Sequence, residues 1–292
     1  MRNSVKVITT ICLITFLCLT GCRKKEQAAE VDNETQSAVD NAIADQEYMA
    51  VVPTTQSHAI NTKGTGAQQR TAAVCDTLTL ISGDTLWGTS NHVNPTYSMS
   101  ISNAVCAQSM PDGRFRTGHI KVRLTGKIRD AGSKMIIKFF NYTAASVSYS
   151  CDSMIVTTLA SSPLYTSFNV KLINGVCQKN NNWTINYSLD RTISFYPKGN
   201  PIGTDPVTMI YGTASGKNRQ GRNFTVDIPS ATPLIKYRSC EYISGGIQTL
   251  TPESYAARII DYGYSVSPAP YNGCDEDASY SVNGNTVAFK LK

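Results

Sequence analysis

The sequence is poor in the residues on which catalysis and metal binding are usually built. Only three histidines occur in 292 residues. His58, His92 and His119 are far apart and none belongs to an H-E-x-x-H pair, so a histidine metal centre is not expected. There is no Cys-x-x-Cys, which argues against a structural zinc site or a thioredoxin-like motif. There is no Gly-x-Ser-x-Gly either; "GTASG" at 212–216 puts Ser215 one place too late for a nucleophile elbow. "GTG" at 64–66 runs on into "AQQ", so it is no nucleotide fingerprint. Asp275-Glu276-Asp277 has the composition of a calcium turn but reads more simply as a solvated hairpin approach. The expectation is therefore a protein without a cofactor or metal, and not an enzyme.

A spanning helix is lacking too. The apolar run Val7–Thr20 is about fourteen residues, short of the roughly 20 that cross a bilayer. It follows Arg2 and Lys6, which is the layout of an export signal covering residues 1–21. The signal ends in Leu19-Thr20-Gly21-Cys22, which resembles the lipobox of bacterial lipoproteins. That resemblance implies cleavage before Cys22 and lipidation of its thiol, and thus a membrane partner through Cys22. One acyl chain binds only marginally, at about 0.8 kcal/mol per buried methylene, whereas two or three anchor stably. Arg23 stands where an aspartate tends to retain such proteins at the inner membrane, so the resemblance favours the outer membrane.

Charge is unevenly distributed. The whole chain carries a formal +6, yet residues 23–52 hold three basic and seven acidic side chains. Everything after them is net basic. Of nine cysteines, Cys12 and Cys18 leave with the signal and Cys22 is lipidated. Cys75, Cys106, Cys151, Cys177, Cys240 and Cys274 remain, an even number in an oxidising compartment. Their spacing suggests three nearest-neighbour bridges, Cys75–Cys106, Cys151–Cys177 and Cys240–Cys274. Loops of this size would each contribute roughly 3–4 kcal/mol in the chain-entropy model.

Residues 22–71 read as the lipidated cysteine, a polar tether, a short helix and a loop. The helix is expected over about 35–52, opened by a capping box at Ser37 and Asp40 and stopped by Pro53. Ala38, Val39, Ala42, Ile43, Met49 and Val52 form its apolar face. Residues 72–292 change to a β texture with turn signals every eight to fifteen residues. In "GHIKVRLTGK" (118–127), Ile120, Val122 and Leu124 alternate with His119, Lys121, Arg123 and Thr125. Met135, Ile137 and Phe139 share a face, as do Trp183, Ile185, Tyr187 and Leu189, and Phe224, Val226 and Ile228. Asn283-Gly284 is a strong hairpin signal. The fold class is mainly β: an antiparallel meander of roughly twelve strands forming a curved sheet, sandwich or partly closed barrel. The two ends, 75–106 and 240–274, share a cysteine–strand–link–strand–cysteine layout.

"AVDNAIADQEY", "DGRFRTGHIKVRLTGKIRDAGS", "YGTASGKNRQGRNFTVDI" and "RSCEYISGGIQTLTP" resemble a group of Bacteroidetes-type lipoproteins. The resemblance covers most of residues 37–292. It implies outer-membrane or surface placement and a β-meander, and it supplies no catalytic residues. The segment "YSVSPAPYNG" after "IDYG" is longer than in that pattern. Asp-Ser/Thr-apolar triplets at Thr77, Thr85 and Ser153 look like O-glycosylation sites of that lineage.

One surface stands out. Lys121 and Arg123 alternate with core residues on one strand, Lys134 and Lys138 on the next, and the short link makes those strands neighbours. Arg114, Arg116, His119, Lys127 and Arg129 flank them, with Asp130 the only acid between 113 and 138. An anionic glycan or lipid suits such a face; nucleic acid does not suit an exported protein. Two functions follow. One is an envelope lipoprotein displaying a binding or structural module. The other is a carrier, with Trp183, Tyr187 and Phe139 lining a pocket for a lipid or other apolar ligand. An envelope hydrolase ranks third, because nothing in the sequence brings two carboxylates together.

Overall fold

Short links and period-two alternation leave each strand no partner nearer than its neighbour in the chain, and the sheet is built that way. In the computed structural model the described residues are 32–61, 76–84, 90–101, 114–180, 182–198, 205–240, 242–263 and 277–290. A helix, α1 (Gln36–Asn61), precedes fifteen strands in one antiparallel sheet. These are β1 (Asp76–Ser82), β2 (Thr96–Ile101), β3 (Arg116–Leu124), β4 (Lys134–Ala144) and β5 (Val147–Ser150). Then come β6 (Ser153–Ser161), β7 (Thr166–Lys179), β8 (Trp183–Tyr196), β9 (Val207–Lys217) and β10 (Asn223–Ile228). The last are β11 (Leu234–Tyr237), β12 (Ile247–Pro252), β13 (Arg258–Asp261), β14 (Asp277–Val282) and β15 (Asn285–Lys290).

The order is a meander. Its two departures are broken strands: β5 and β6 together fill the place between β4 and β7, and β11 continues β10 along β9. The β14–β15 hairpin turns at Asn283 and Gly284, both at positive φ, as the Asn-Gly signal requires.

The helix does not lie outside the sheet. Glu34–Lys292 is one compact unit, and α1 packs on the inward face of the strands. Ser37, Asp40, Asn41, Ala44, Glu47, Tyr48, Val51, Val52 and Thr55 are buried, a stripe at the helical period of i, i+3, i+4, i+7. This corrects the expected apolar face, since Val39 is half exposed (49%). It also corrects the expected end, because the helix runs through Pro53 to Asn61. Pro53 has no N–H to donate to the preceding turn. The next two hydroxyls bond back instead, Thr54 to Ala50 O and Thr55 to Val51 O.

Two bulges tune which side chains meet the helix. In β4 the pairing slips opposite Gly118, where Asn141 has φ 49°. Before the slip Met135 and Ile137 face inward; after it Tyr142 and Ala144 do. In β7 the slip at Asn174 moves the inward set from Val170 and Leu172 to Gly175 and Cys177. A bulge adds one residue and so reverses the alternation. Glycine is required at 175, where a Cβ would lie 2.8 Å from Tyr187 O and 3.0 Å from the Tyr48 hydroxyl.

Candidate functional site

Charge occupies both faces of the sheet, with opposite consequences. On the inward face it holds the helix. Glu47, fully buried, accepts from Arg116 Nε (2.8 Å) and Nη2 (3.0 Å) and from the Tyr142 hydroxyl (2.6 Å). Asp40, equally buried, accepts from Arg219 N (2.8 Å) and Nε (2.7 Å). The guanidinium of Arg219 also lies 4.3 Å over the Trp183 ring. Asp45 accepts from Tyr187 (2.9 Å) and stands 3.5 Å from Arg191. At the helix start Glu34 Oε1 accepts from Ser37 N (2.9 Å), while Arg258 donates to the Glu34 carbonyl (3.0 Å). Four acids within one short segment thus meet arginines from β3, β8, β13 and the β9–β10 turn.

Tyr48 is the pivot of the apolar half. Its hydroxyl donates to Ser150 O (2.7 Å) and Val176 O (3.2 Å), and its ring meets Phe139, Tyr149 and Tyr187. Burial pushes the hydroxyls of Tyr48, Tyr142, Tyr149 and Tyr187 well above the ordinary tyrosine range. Burial likewise pushes the thiols of Cys151 and Cys177 up to about 12.

Those two thiols are free, which corrects the expected Cys151–Cys177 bridge. The register sets Tyr149, not Cys151, opposite Cys177. Cys151 is therefore only a diagonal neighbour. Such neighbours stand roughly 7–8 Å apart, against a Cβ separation of about 3.5–4.5 Å in a disulfide. The other cysteines of that scheme, Cys75, Cys106 and Cys274, and the expected lipidation residue Cys22, lie outside the described residues; Cys240 is buried.

On the outward face the charge is unspent. Lys121 is directly opposite Lys138, and Arg123 opposite Ile136, as the alternation predicts. Lys134 follows on the same face of β4, two places before Ile136. All four cations are exposed, and none forms an ion pair among the described residues. No Asp or Glu occurs in β2, β3, β4 or β6. Of the flanking residues, His119, Lys127 and Arg129 are exposed. Arg116 and Arg114 are not part of this face: both turn to Glu47, Arg114 Nη1 at 3.5 Å.

The register row continues from Arg123 through Ile136, Ile155 and Lys171 to Asp190, Thr213, Asp227 and Thr249. From Lys171 onward the face changes character. Lys171 pairs with Asp190 at 3.9 Å, and both line an open groove of about 690 Å³ together with Asp227, serines and threonines and apolar residues such as Ile173, Leu189 and Val226. The basic patch therefore ends where the carboxylates begin.

The remaining candidates are dispersed. His92 bonds Asp84 at 2.7 Å, Asp277 pairs with Lys290 at 2.6 Å, and Ser153 opens β6 half-buried. The side chain of Thr77, and residues Thr85, Asp275 and Glu276, lie outside what is described. Among the described residues no group of three metal-ligating side chains converges, and no helix is long and apolar enough to cross a bilayer. Protein-family models, curated proteins and solved structures yield no match to this chain. The functional reading rests on the geometry.

Proposed function

We propose that this chain is a lipid-anchored protein of the outer membrane whose sheet displays a non-enzymatic, anion-binding face. The observation that carries the reading is the direct opposition of Lys121 and Lys138, with Arg123 and Lys134 beside them and no acid on their strands. Like charges facing each other across two strands destabilise a sheet. An arrangement of this density is relieved by an anionic partner, through an attraction that decays over about 10 Å at 0.1 M salt. Lipidation at Cys22 and bridges Cys75–Cys106 and Cys240–Cys274 belong to the same proposal. Residues 23–33 would span at most roughly 40 Å at about 3.3–3.6 Å per residue.

The packing of α1 favours display over carriage. The side chains assigned to a ligand pocket are spent on packing: Phe139 and Tyr187 on Tyr48 of α1, at 5.7 and 6.4 Å between ring centres, and Trp183 under Arg219 of the β9–β10 turn.

The test uses residues 34–292, which form one compact unit, with Lys121, Arg123, Lys134 and Lys138 changed together to Gln. Binding is measured to vesicles containing phosphatidylglycerol and to purified acidic envelope polysaccharide, at low and high salt. The unaltered domain is expected to bind and to be released by salt. Each cation lost should weaken binding to an anionic lipid surface by about 1 kcal/mol. An unaltered domain that shows no salt-sensitive binding to either probe would refute the proposal.

A further inference from the structure

We infer that the partner of this face is the headgroup layer of a lipid bilayer, with apolar side chains of the same face passing beneath the phosphates. The inference rests on the anion-binding reading and names its partner.

The outward side of β4 runs Lys134, Ile136, Lys138, Phe140, so that cations alternate with apolar residues. Across the strands Ile136 lies opposite Arg123 on one side and Ile155 on the other, and Ile155 in turn lies opposite Lys171. Phe140, opposite His119, is 48% exposed. At the other end of the patch Leu159 stands out at the bulge between Thr158 and Ala160, also 48% exposed. Leu164, at 61%, projects from the β6–β7 turn.

That turn is fixed. Ser162 Oγ accepts from the N–H groups of Leu164 and Tyr165, both at 3.2 Å, and Ser162 N–H donates to Tyr165 O at 2.9 Å. Tyr165 is stacked 5.6 Å from Tyr196. Backbone bonds from Gly132 N–H to Thr158 O and from Thr158 N–H to Ser133 O tie this end to the β3–β4 turn, which carries Lys127 and Arg129. Leu159, next to Thr158, is therefore held at the turn that carries Lys127, Arg129 and Asp130.

Singly exposed apolar residues are ordinary. Apolar residues interleaved with cations on strands that carry no acid are a different matter. A hydrated polysaccharide would leave Phe140, Leu159 and Leu164 in water or set them against hydroxyls. A bilayer satisfies both chemistries, with lysine and arginine heads at the phosphates and the apolar side chains below them.

The experiment uses residues 34–292 with vesicles of phosphatidylcholine, with and without phosphatidylglycerol. In one set Phe140 and Leu164 are replaced singly by Trp; in another Leu159→Asp and Leu164→Asp are combined, exposed changes that leave the core intact. Both Trp reporters are expected to shift to the blue and to be quenched by brominated acyl chains, only with the anionic vesicles. The aspartate pair should lower vesicle affinity roughly tenfold or more. Unshifted Trp reporters, or an aspartate pair that binds like the parent, overturn the bilayer assignment. If the four-cation Gln variant still loses binding in that case, the anion reading stands without it. Binding of acidic polysaccharide in preference to vesicles, with the Trp reporters unchanged, also overturns the bilayer assignment.

Discussion

Replacing Glu47 by leucine is expected to remove about 3–5 kcal/mol of stability, the usual consequence of deleting one partner of a buried ion pair. Glu47 is fully buried and receives hydrogen bonds from Arg116 and Tyr142. Without it, Arg116, 8% exposed, loses the carboxylate that its Nε and Nη2 both meet, and the Tyr142 hydroxyl loses its acceptor. At about 2–4 °C per kcal/mol for chains of this size, the melting midpoint should fall by roughly 10 °C. Changing Arg116 to Met in the same molecule should recover much of the loss, since apolar residues often replace buried pairs at little cost. Melting curves of the two single variants and the double variant check this. Equal midpoints for Glu47→Leu and the parent would show that the helix is not seated by this pair.

Alkali should unfold the protein steeply. Tyr48, Tyr142, Tyr149 and Tyr187 all have hydroxyls raised above the ordinary tyrosine value of 10.0, mainly because burial disfavours the phenolate. In the unfolded chain they ionise near 10. Their folded values are higher, so the folded state binds more protons above that pH. Their contribution is complete below pH 10 and is lost as pH rises toward the folded values. Each tyrosine takes away about 1.4 kcal/mol per pH unit in that window. Four together take about 5–6 kcal/mol per unit, against a total stability of about 5–15 kcal/mol for a typical domain. The thiols of Cys151 and Cys177, raised by burial from 9.0 to about 12, add to the loss from pH 9 upward. Far-ultraviolet circular dichroism and tyrosinate absorbance should therefore change together, within one to two pH units above 10. Smooth tyrosine titration with the sheet intact would contradict this.

The fold class was readable because period-two alternation survives wherever the ladder is regular. On β3 and β4 it placed Ile120, Val122, Met135 and Ile137 inward and the four cations outward, and the structure agrees. The alternation itself breaks at Asn141 and Asn174, where a single inserted residue reverses the sides. The helix misled for a different reason. Its buried stripe contains Ser37, Asp40, Asn41 and Glu47, so a search for apolar residues at helical spacing selects the wrong face. The same spacing applied to every residue type would have found Ser37, Asp40, Ala44, Glu47, Val51 and Thr55. What no reading of α1 supplies is the partner set: Arg116, Arg191, Arg219 and Arg258 are scattered over more than a hundred residues. Arg114 and Arg116 were assigned to the basic surface on adjacency alone, and the structure turns both toward Glu47. Nothing in the spacing of Cys151 and Cys177 disclosed that Tyr149 takes the place opposite the second thiol.

We propose that the outward face of β3 and β4 is where an anionic surface is bound. Footprinting of lysine acetylation on residues 34–292, free and on phosphatidylglycerol-containing vesicles, tests it most directly. Lys121, Lys134 and Lys138 are expected to be shielded on the vesicles, and the shielding to disappear in high salt. Lys198, in the turn after β8, and Lys217, at the end of β9, both exposed, should remain as reactive as in the free protein. Shielding centred on Lys198 or Lys217, or no difference between free and vesicle-bound protein at Lys121, Lys134 and Lys138, would contradict the claim.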